Sequence, residues 1–185
     1  MKVVVLADTH LRGGLDRLPA EVVAALRQCD AILHAGDVTS HRALDELRAF
    51  GAVHAVLGNN DADLVGRLPV EIRIELAGVR IAMVHDGGPA KGRAARLSRR
   101  YPDARIVVFG HSHVPLVEMG DGDQLLFNPG SPTQRRLQPH PTYGRLRLEQ
   151  GEVVAREIVA LGSGARPLDP PAVILDVDGR FRRSQ

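Results

Sequence analysis

The chain has no tryptophan, only four phenylalanines and two tyrosines, and one cysteine, Cys29. A lone cysteine excludes an internal disulfide and a zinc site built on thiolates, which fits a reducing compartment. An excess of one charge is missing too. Lys and Arg total 24 against 22 Asp and Glu, and the resulting +2 is too small to drive nucleic-acid binding by bulk electrostatics. No run approaches the ~20 apolar residues of a membrane span. Val3 to Leu6 is too short for the core of a signal peptide and is broken by Asp8. A cytoplasmic protein without a membrane partner is therefore expected. The 185 residues, 44% of them hydrophobic, suffice for one globular domain with a substantial core. Against this background histidine stands out, with eight copies.

The first third alternates apolar runs with helical patterns. Lys2 to Ala7, Ala31 to Ala35 and Val53 to Leu57 read as strands. Pro19 to Gln28 and Ser40 to Phe50 read as helices between them, the second capped by Thr39 or Ser40. This βαβαβ order implies a parallel sheet whose ligands gather at the strand C-terminal ends. Glu71 to Leu76 and Val79 to Val84, joined by Ala77-Gly78, read as a hairpin. A helix over about Lys91 to Arg100 and a strand over Arg105 to Phe109 follow. Leu116 to Met119, Leu125 to Phe127, Tyr143 to Leu148 and Val153 to Val159 complete a strand-rich second half. One domain is expected over residues 1–161, with residues 162–185 as a tail that is mobile or adds an edge strand.

The residues that follow each strand carry the chemistry. Asp8 and His10 follow the first, Gly36-Asp37 the second, and Gly58-Asn59-Asn60-Asp61 the third. His85 follows the hairpin, and Gly110-His111-Ser112-His113 follows the next strand. A single histidine or aspartate at a strand end is usually a hydrogen-bonded residue or a helix cap. Five successive strands delivering Asp, His or Asn to one edge, with glycine directly before Asp37, Asn59 and His111, are not explained that way. Imidazole, carboxylate and amide oxygen without thiolate suit borderline to hard divalent ions. The seven candidates Asp8, His10, Asp37, Asn59, His85, His111 and His113 are too many for one ion and about right for two.

These blocks together resemble the signature of the calcineurin-like metallophosphoesterases, and the short length resembles their small bacterial and archaeal phosphodiesterase branch. Asn128-Pro129-Gly130-Ser131 also resembles a motif near the end of that branch. The resemblance implies a four-layer αββα sandwich of two mixed β-sheets flanked by helices, with a dinuclear centre. It implies that Asp8, His10 and His113 hold one ion, that Asn59, His85 and His111 hold the other, and that Asp37 bridges them. Asp37, Asn59 and His85 then lie nearest the chemistry. Two divalent ions ~3.5 to 4 Å apart turn a bridging water into hydroxide near neutral pH and clamp the phosphoryl oxygens for in-line attack. Mn²⁺ is the expected ion, with Fe²⁺, Zn²⁺, Ni²⁺ or Co²⁺ as alternatives, and the expected substrate is a small phosphate ester or nucleotide.

Two departures matter. Many relatives in the superfamily place a proton-donating histidine after Gly-Asn, whereas this chain has Asn60, which cannot act as a general acid; His41 and Asp86 are the remaining donor candidates. Asp86 also stands where the family usually has glycine after His85. Asn60 and Arg135 are candidate substrate contacts, with Arg136 beside them, while Lys91, Arg93, Arg96, Arg99 and Arg100 read as a solvated helix face. His34, His54 and His140 read as core, hydrogen-bonded or loop residues. Val173 to Gly179 looks superficially like a haloacid-dehalogenase nucleophile motif, but six residues after Gly179 leave no room for that fold. Two rivals remain: a non-catalytic interaction scaffold similar to the retromer small subunit, and a small nuclease. The missing basic groove argues against the nuclease and against nucleic acid as partner; a homo-oligomer stays open.

Overall fold

The structure, a computed structural model, describes residues 1–162. The remainder of the expected tail, including the Val173 to Gly179 run, lies outside the described residues.

The first five strands are β1 (Lys2–Leu6), β2 (Ala31–His34), β3 (Ala52–Ala55), β4 (Glu71–Leu76) and β5 (Val79–Val84). They are followed by β6 (Ile106–Val108), β7 (Leu116–Met119), β8 (Leu125–Asn128), β9 (Thr142–Glu149) and β10 (Glu152–Ala160). They form two five-stranded mixed sheets, ordered β10-β9-β1-β2-β3 and β4-β5-β6-β8-β7. The continuous apolar runs arise because both faces of the central strands are covered. In β1, Val3 and Val5 point into the core between the sheets, while Val4 and Leu6 point outward under α1 (Ala20–Leu26) and α2 (His41–Arg48). In the second sheet Ile81, Met83, Ile106, Val108, Leu125 and Phe127 face inward. Ala82, Val107 and Leu126 face outward under α3 (Arg93–Arg100). The result is the four-layer αββα sandwich.

Where the observed elements differ in extent from the sequence reading, local backbone geometry explains it. α3 begins at Arg93 rather than Lys91 because Gly92 takes a left-handed conformation, φ 70°, that a helix cannot include. α1 begins after Pro19, whose ψ of 142° is extended. Of the two candidate caps for α2, Ser40 is the one used: its Oγ accepts from the Ala43 N–H at 3.1 Å and donates to the Leu11 carbonyl at 2.8 Å, tying the helix to the loop after β1. Ala77-Gly78 and Gln150-Gly151 turn the two hairpins with positive φ at both positions, the conformation that tight two-residue turns require.

β1, β2 and β3 are parallel, as are β5, β6 and β8. Every candidate ligand therefore follows the C-terminal end of a strand in one of two facing parallel sets. The loops stay paired beyond the strands: Asp8 N–H donates to Gly36 O at 2.9 Å, His10 N–H to Asp37 O at 2.9 Å, and Gly110 N–H to His85 O at 2.9 Å. Among the described residues, no helix is long and apolar enough to cross a membrane.

Candidate metal centre

All seven candidate ligands meet at this edge. Ligand atoms of Asp8, His10 and His113 lie within 4.8 Å of one another, and so do those of Asp8, Asp37 and His85. Asn59 Oδ1 lies 3.0 Å from both His85 Nε2 and His111 Nδ1, which joins the remaining two residues to the cluster. The imidazoles pair as His10 with His113, ring centroids 5.4 Å apart, and His85 with His111, 5.2 Å apart. The half built on Asp8 and His113 is buried, whereas Asn59 and His111 are exposed, so the cluster opens to solvent on one side.

Holding these side chains on short loops requires, at most of them, backbone that among the described residues recurs only at turns and in flanking loops. Asp8, His10, Asp37, His111 and His113 account for five of the nine non-glycine residues with positive φ among those described. Such conformations cost on the order of 1–3 kcal/mol each and persist where the surroundings over-determine them. Two glycines permit the close approach. A Cβ at Gly36 would fall 2.5 Å from the His85 ring, and one at Gly58 would collide with the Asp37 carboxylate.

The orientation of each imidazole follows from its outer nitrogen. His113 Nδ1 sits 2.6 Å from Gln134 O and His85 Nδ1 2.7 Å from Ala35 O, so each of these nitrogens carries the proton and each Nε2 presents a lone pair to the cluster. Those lone pairs face oxygens. His113 Nε2 is 3.4 Å from Asp8 Oδ1, and His85 Nε2 is 3.6 Å from Asp37 Oδ2. Both Asp8 carboxylate oxygens, His10 Nε2 and His113 Nε2 are buried without a hydrogen-bond partner. Acceptors confronting acceptors in a buried space need protons or cations among them. Burial, with Asp37 adding repulsion, pushes the Asp8 carboxyl up to about 8. Burial also lowers the pKa of His10 and His113, favouring the neutral imidazole that a metal needs. The residues thus fit divalent ions.

Asp37 is held differently. Burial raises its pKa, but hydrogen bonds from Asn60, together with the nearby His85 and His10, outweigh that and the net direction is down. The Asn60 N–H donates to Oδ1 at 2.8 Å and its Nδ2 to Oδ2 at 2.6 Å. Asn60, a sequence candidate for substrate contact, therefore has both donor groups on Asp37. Arg135 donates to Gln138 O at 2.6 Å within its own loop, while Arg136 reaches His111 O at 3.4 Å. His41 is engaged with Arg67, and Asp86 accepts from the Gly88 N–H in its own turn.

The sequence marks several of the supporting residues but not the bonds they make. The Asp61 carboxylate accepts from the N–H groups of Asp37, Gly58 and Thr39 at 2.7–2.8 Å. Asn128 Nδ2 donates to Gly110 O, and Ser131 Oγ donates to Asp8 O at 2.8 Å, which gives the Asn128 to Ser131 motif a bracing role behind the ligands. His34, wholly buried, pairs with Thr9 Oγ1 at 2.9 Å. Burial holds its pKa down at about 3. Its folded pKa lies below the unfolded value of 6.5, so its contribution to stability is present above pH 6.5 and is lost as pH falls toward 3. Urea titrations in EDTA at pH 7 and pH 5 should show wild type losing about 2 kcal/mol more than His34→Gln, which keeps a polar partner for Thr9 without titrating. Equal losses would refute this.

Comparison with known proteins agrees with the geometry. Residues 1–151 match the calcineurin-like phosphoesterase superfamily domain, and the chain belongs to that family. It is 34% identical over 167 residues to a probable metallophosphoesterase of Methanothermobacter thermautotrophicus, covering 88% of this chain and 94% of that protein. Among solved structures, Vps29 of Entamoeba histolytica complexed with Zn²⁺ matches with a TM-score of 0.73 at 24% identity, covering 89% and 95% of the two chains. A novel archaeal phosphodiesterase matches with a TM-score of 0.65 at 24% identity, covering 87% and 100%. These two likenesses establish a shared fold.

Proposed function

We propose that the protein is a metal-dependent phosphodiesterase that hydrolyses a small phosphate ester or nucleotide at a centre of two divalent ions, with Mn²⁺ as the working ion. The observation that carries this reading is the set of buried, partnerless acceptor atoms on Asp8, His10 and His113, continued by Asn59 Oδ1 between His85 and His111. Asp8, His10 and His113 would hold one ion, Asn59, His85 and His111 the other, and Asp37 would contact both. What two such ions supply is Lewis acidity: an acidified attacking water and neutralised phosphoryl oxygens. The chain's own residues do the rest. Asn60 fixes both Asp37 oxygens, the Ala35 and Gln134 carbonyls orient His85 and His113, and the open side at Asn59 and His111 admits substrate. His41 is engaged with Arg67 and Asp86 with its own turn, and Asn60 cannot act as a general acid, so this reading assigns no side chain to protonate the leaving group. Esters with acidic leaving groups should therefore react best.

Hydrolysis of bis(4-nitrophenyl) phosphate should require added Mn²⁺, stop with EDTA, and fall at least about a hundredfold in His111→Ala. His111 is exposed, so that variant should keep its melting temperature within a few degrees. Hydrolysis that survives both EDTA and the substitution would overturn the reading. The likeness to Vps29 supports a second reading, a binding scaffold on the same fold. It predicts ion binding with no turnover of any mono- or diester under Mn²⁺, Mg²⁺, Ni²⁺ or Zn²⁺.

A further inference from the structure

The loop after Ser131 is fastened to the ligands at its base and free at its tip. Ser131 Oγ donates to Asp8 O and Thr133 Oγ1 donates to Thr9 O at 2.7 Å, while Gln134 O takes the His113 Nδ1 proton. Two residues after that carbonyl, Arg136 takes a left-handed conformation, φ 50°, as no other non-glycine residue of this loop does. The residue is exposed, and among the described residues its guanidinium donates to His111 O at 3.4 Å, long for an N–H···O bond, and pairs with no carboxylate. That contact places a candidate ligand beside Arg136. Next to it Leu137 is 97% exposed, more than any other large hydrophobic side chain among the described residues. Strained backbone and a cation without a carboxylate partner meet at the rim of the site, and a bare apolar side chain follows next in the chain.

We propose that Arg136 anchors a non-bridging phosphate oxygen of the substrate and that Leu137 covers an apolar group attached to that phosphate, so that the site selects aryl or nucleoside esters over simple alkyl ones. This rests on the phosphoesterase reading for its biological meaning, but not for its test. Arg135, turned to Gln138 O, does not share the role. A planar guanidinium can address two phosphoryl oxygens at once, which an ammonium cannot.

Calorimetric titration with phenylphosphonate and methylphosphonate, neither of which is hydrolysed, in the presence of Mn²⁺ reads both contacts directly. Wild type should bind phenylphosphonate several-fold more tightly. Arg136→Gln should weaken both ligands by the same factor, roughly tenfold to a hundredfold, with Mn²⁺ stoichiometry unchanged. Arg136→Lys should recover only part. Leu137→Ser should leave methylphosphonate unaffected and weaken phenylphosphonate about threefold to tenfold. In turnover, Arg136→Gln should raise KM with little change in kcat. Equal affinities in wild type and Arg136→Gln, or a phenyl preference that Leu137→Ser does not reduce, would overturn the proposal. A chain that binds the phosphonates with this pattern yet hydrolyses nothing would keep the anchor and sink the phosphoesterase reading. Full turnover with an unaffected Arg136→Gln would do the reverse.

Discussion

Asp8→Asn is expected to give a protein that is more stable than wild type without ions and inactive with them. Both Asp8 oxygens are buried and partnerless, and Asp37 is close enough to repel them, so burial and that repulsion hold the carboxyl at about 8. The sign follows from linkage. A carboxyl whose folded pKa lies above its unfolded value of 3.8 binds more protons folded than unfolded. Stability present below about pH 4 is therefore lost as pH rises toward 8. At pH 8 the ion-free wild type should be weaker than Asp8→Asn by a few kcal/mol, at about 1.4 kcal/mol per unit of pKa shift. That corresponds to a difference of roughly 5–10 °C in melting temperature. Mn²⁺ should reverse the order, because a dication between Asp8 and Asp37 turns their repulsion into attraction. Hydrolysis should fall about a thousandfold or more in the variant, since the amide cannot supply the negative charge that the ion needs. The check is calorimetric melting of both proteins in EDTA and in Mn²⁺ across pH 5 to 8. A wild type that is stable at pH 8 in EDTA and indifferent to Mn²⁺ would mean that no cation belongs there.

That result bears on how the site can be read from sequence at all. The ligands are legible because they obey a local rule: each follows an apolar run, several with glycine directly before them. The alternation of Val3 and Val5 with Val4 and Leu6 likewise reveals strands covered on both faces, hence layers outside the sheets. What binds the ligands in place obeys no such rule. Ser131 braces Asp8 from 123 positions away, and Asn128 reaches Gly110 across 18. Such side-chain to backbone bonds leave no periodicity and depend on a fold already formed. Asn60 and Asn59 are neighbours of the same type, yet one holds Asp37 and the other faces two imidazoles, a difference set by backbone direction after β3. Choosing between Arg135 and Arg136 fails for the same reason: one residue of rotation in a turn decides which guanidinium meets the loop and which meets His111.

Asp61 is the strongest case, and Asp61→Ala carries the second large expected effect. In sequence it stands in the third strand-end block beside Asn59 and Asn60, with nothing to show what its carboxylate does. In the structure it stands at the start of the short 3₁₀ turn Ala62–Leu64, yet its side chain makes no cap bond there. Instead the carboxylate, 1% exposed, accepts from Asp37 N–H at 2.8 Å, Gly58 N–H at 2.7 Å and Thr39 N–H at 2.7 Å. It thereby clamps the loop after β2 to the loop after β3, the two that carry Asp37 and Asn59. Alanine would leave three inward-facing N–H groups unpaired, each worth about 1–3 kcal/mol. With partial relief by entering water, a net loss of about 3–5 kcal/mol is expected, or roughly 6–15 °C in melting temperature. An amide in place of the acid would keep one acceptor but present its NH₂ to a donor, so Asp61→Asn should lose about half as much. Asp61 is not among the side chains that would hold an ion, so its effect on turnover comes through placement of Asp37, where an error near 1 Å costs about a hundredfold. A positioning role of this kind has a signature that mere destabilisation lacks. At about 15 °C, near the temperature of maximum stability where both variants remain folded, Mn²⁺ affinity should drop together with kcat. Excess Mn²⁺ should restore part of the activity in Asp61→Asn but little in Asp61→Ala. Unchanged Mn²⁺ affinity in a folded Asp61→Ala would show that the two loops keep their spacing without the clamp.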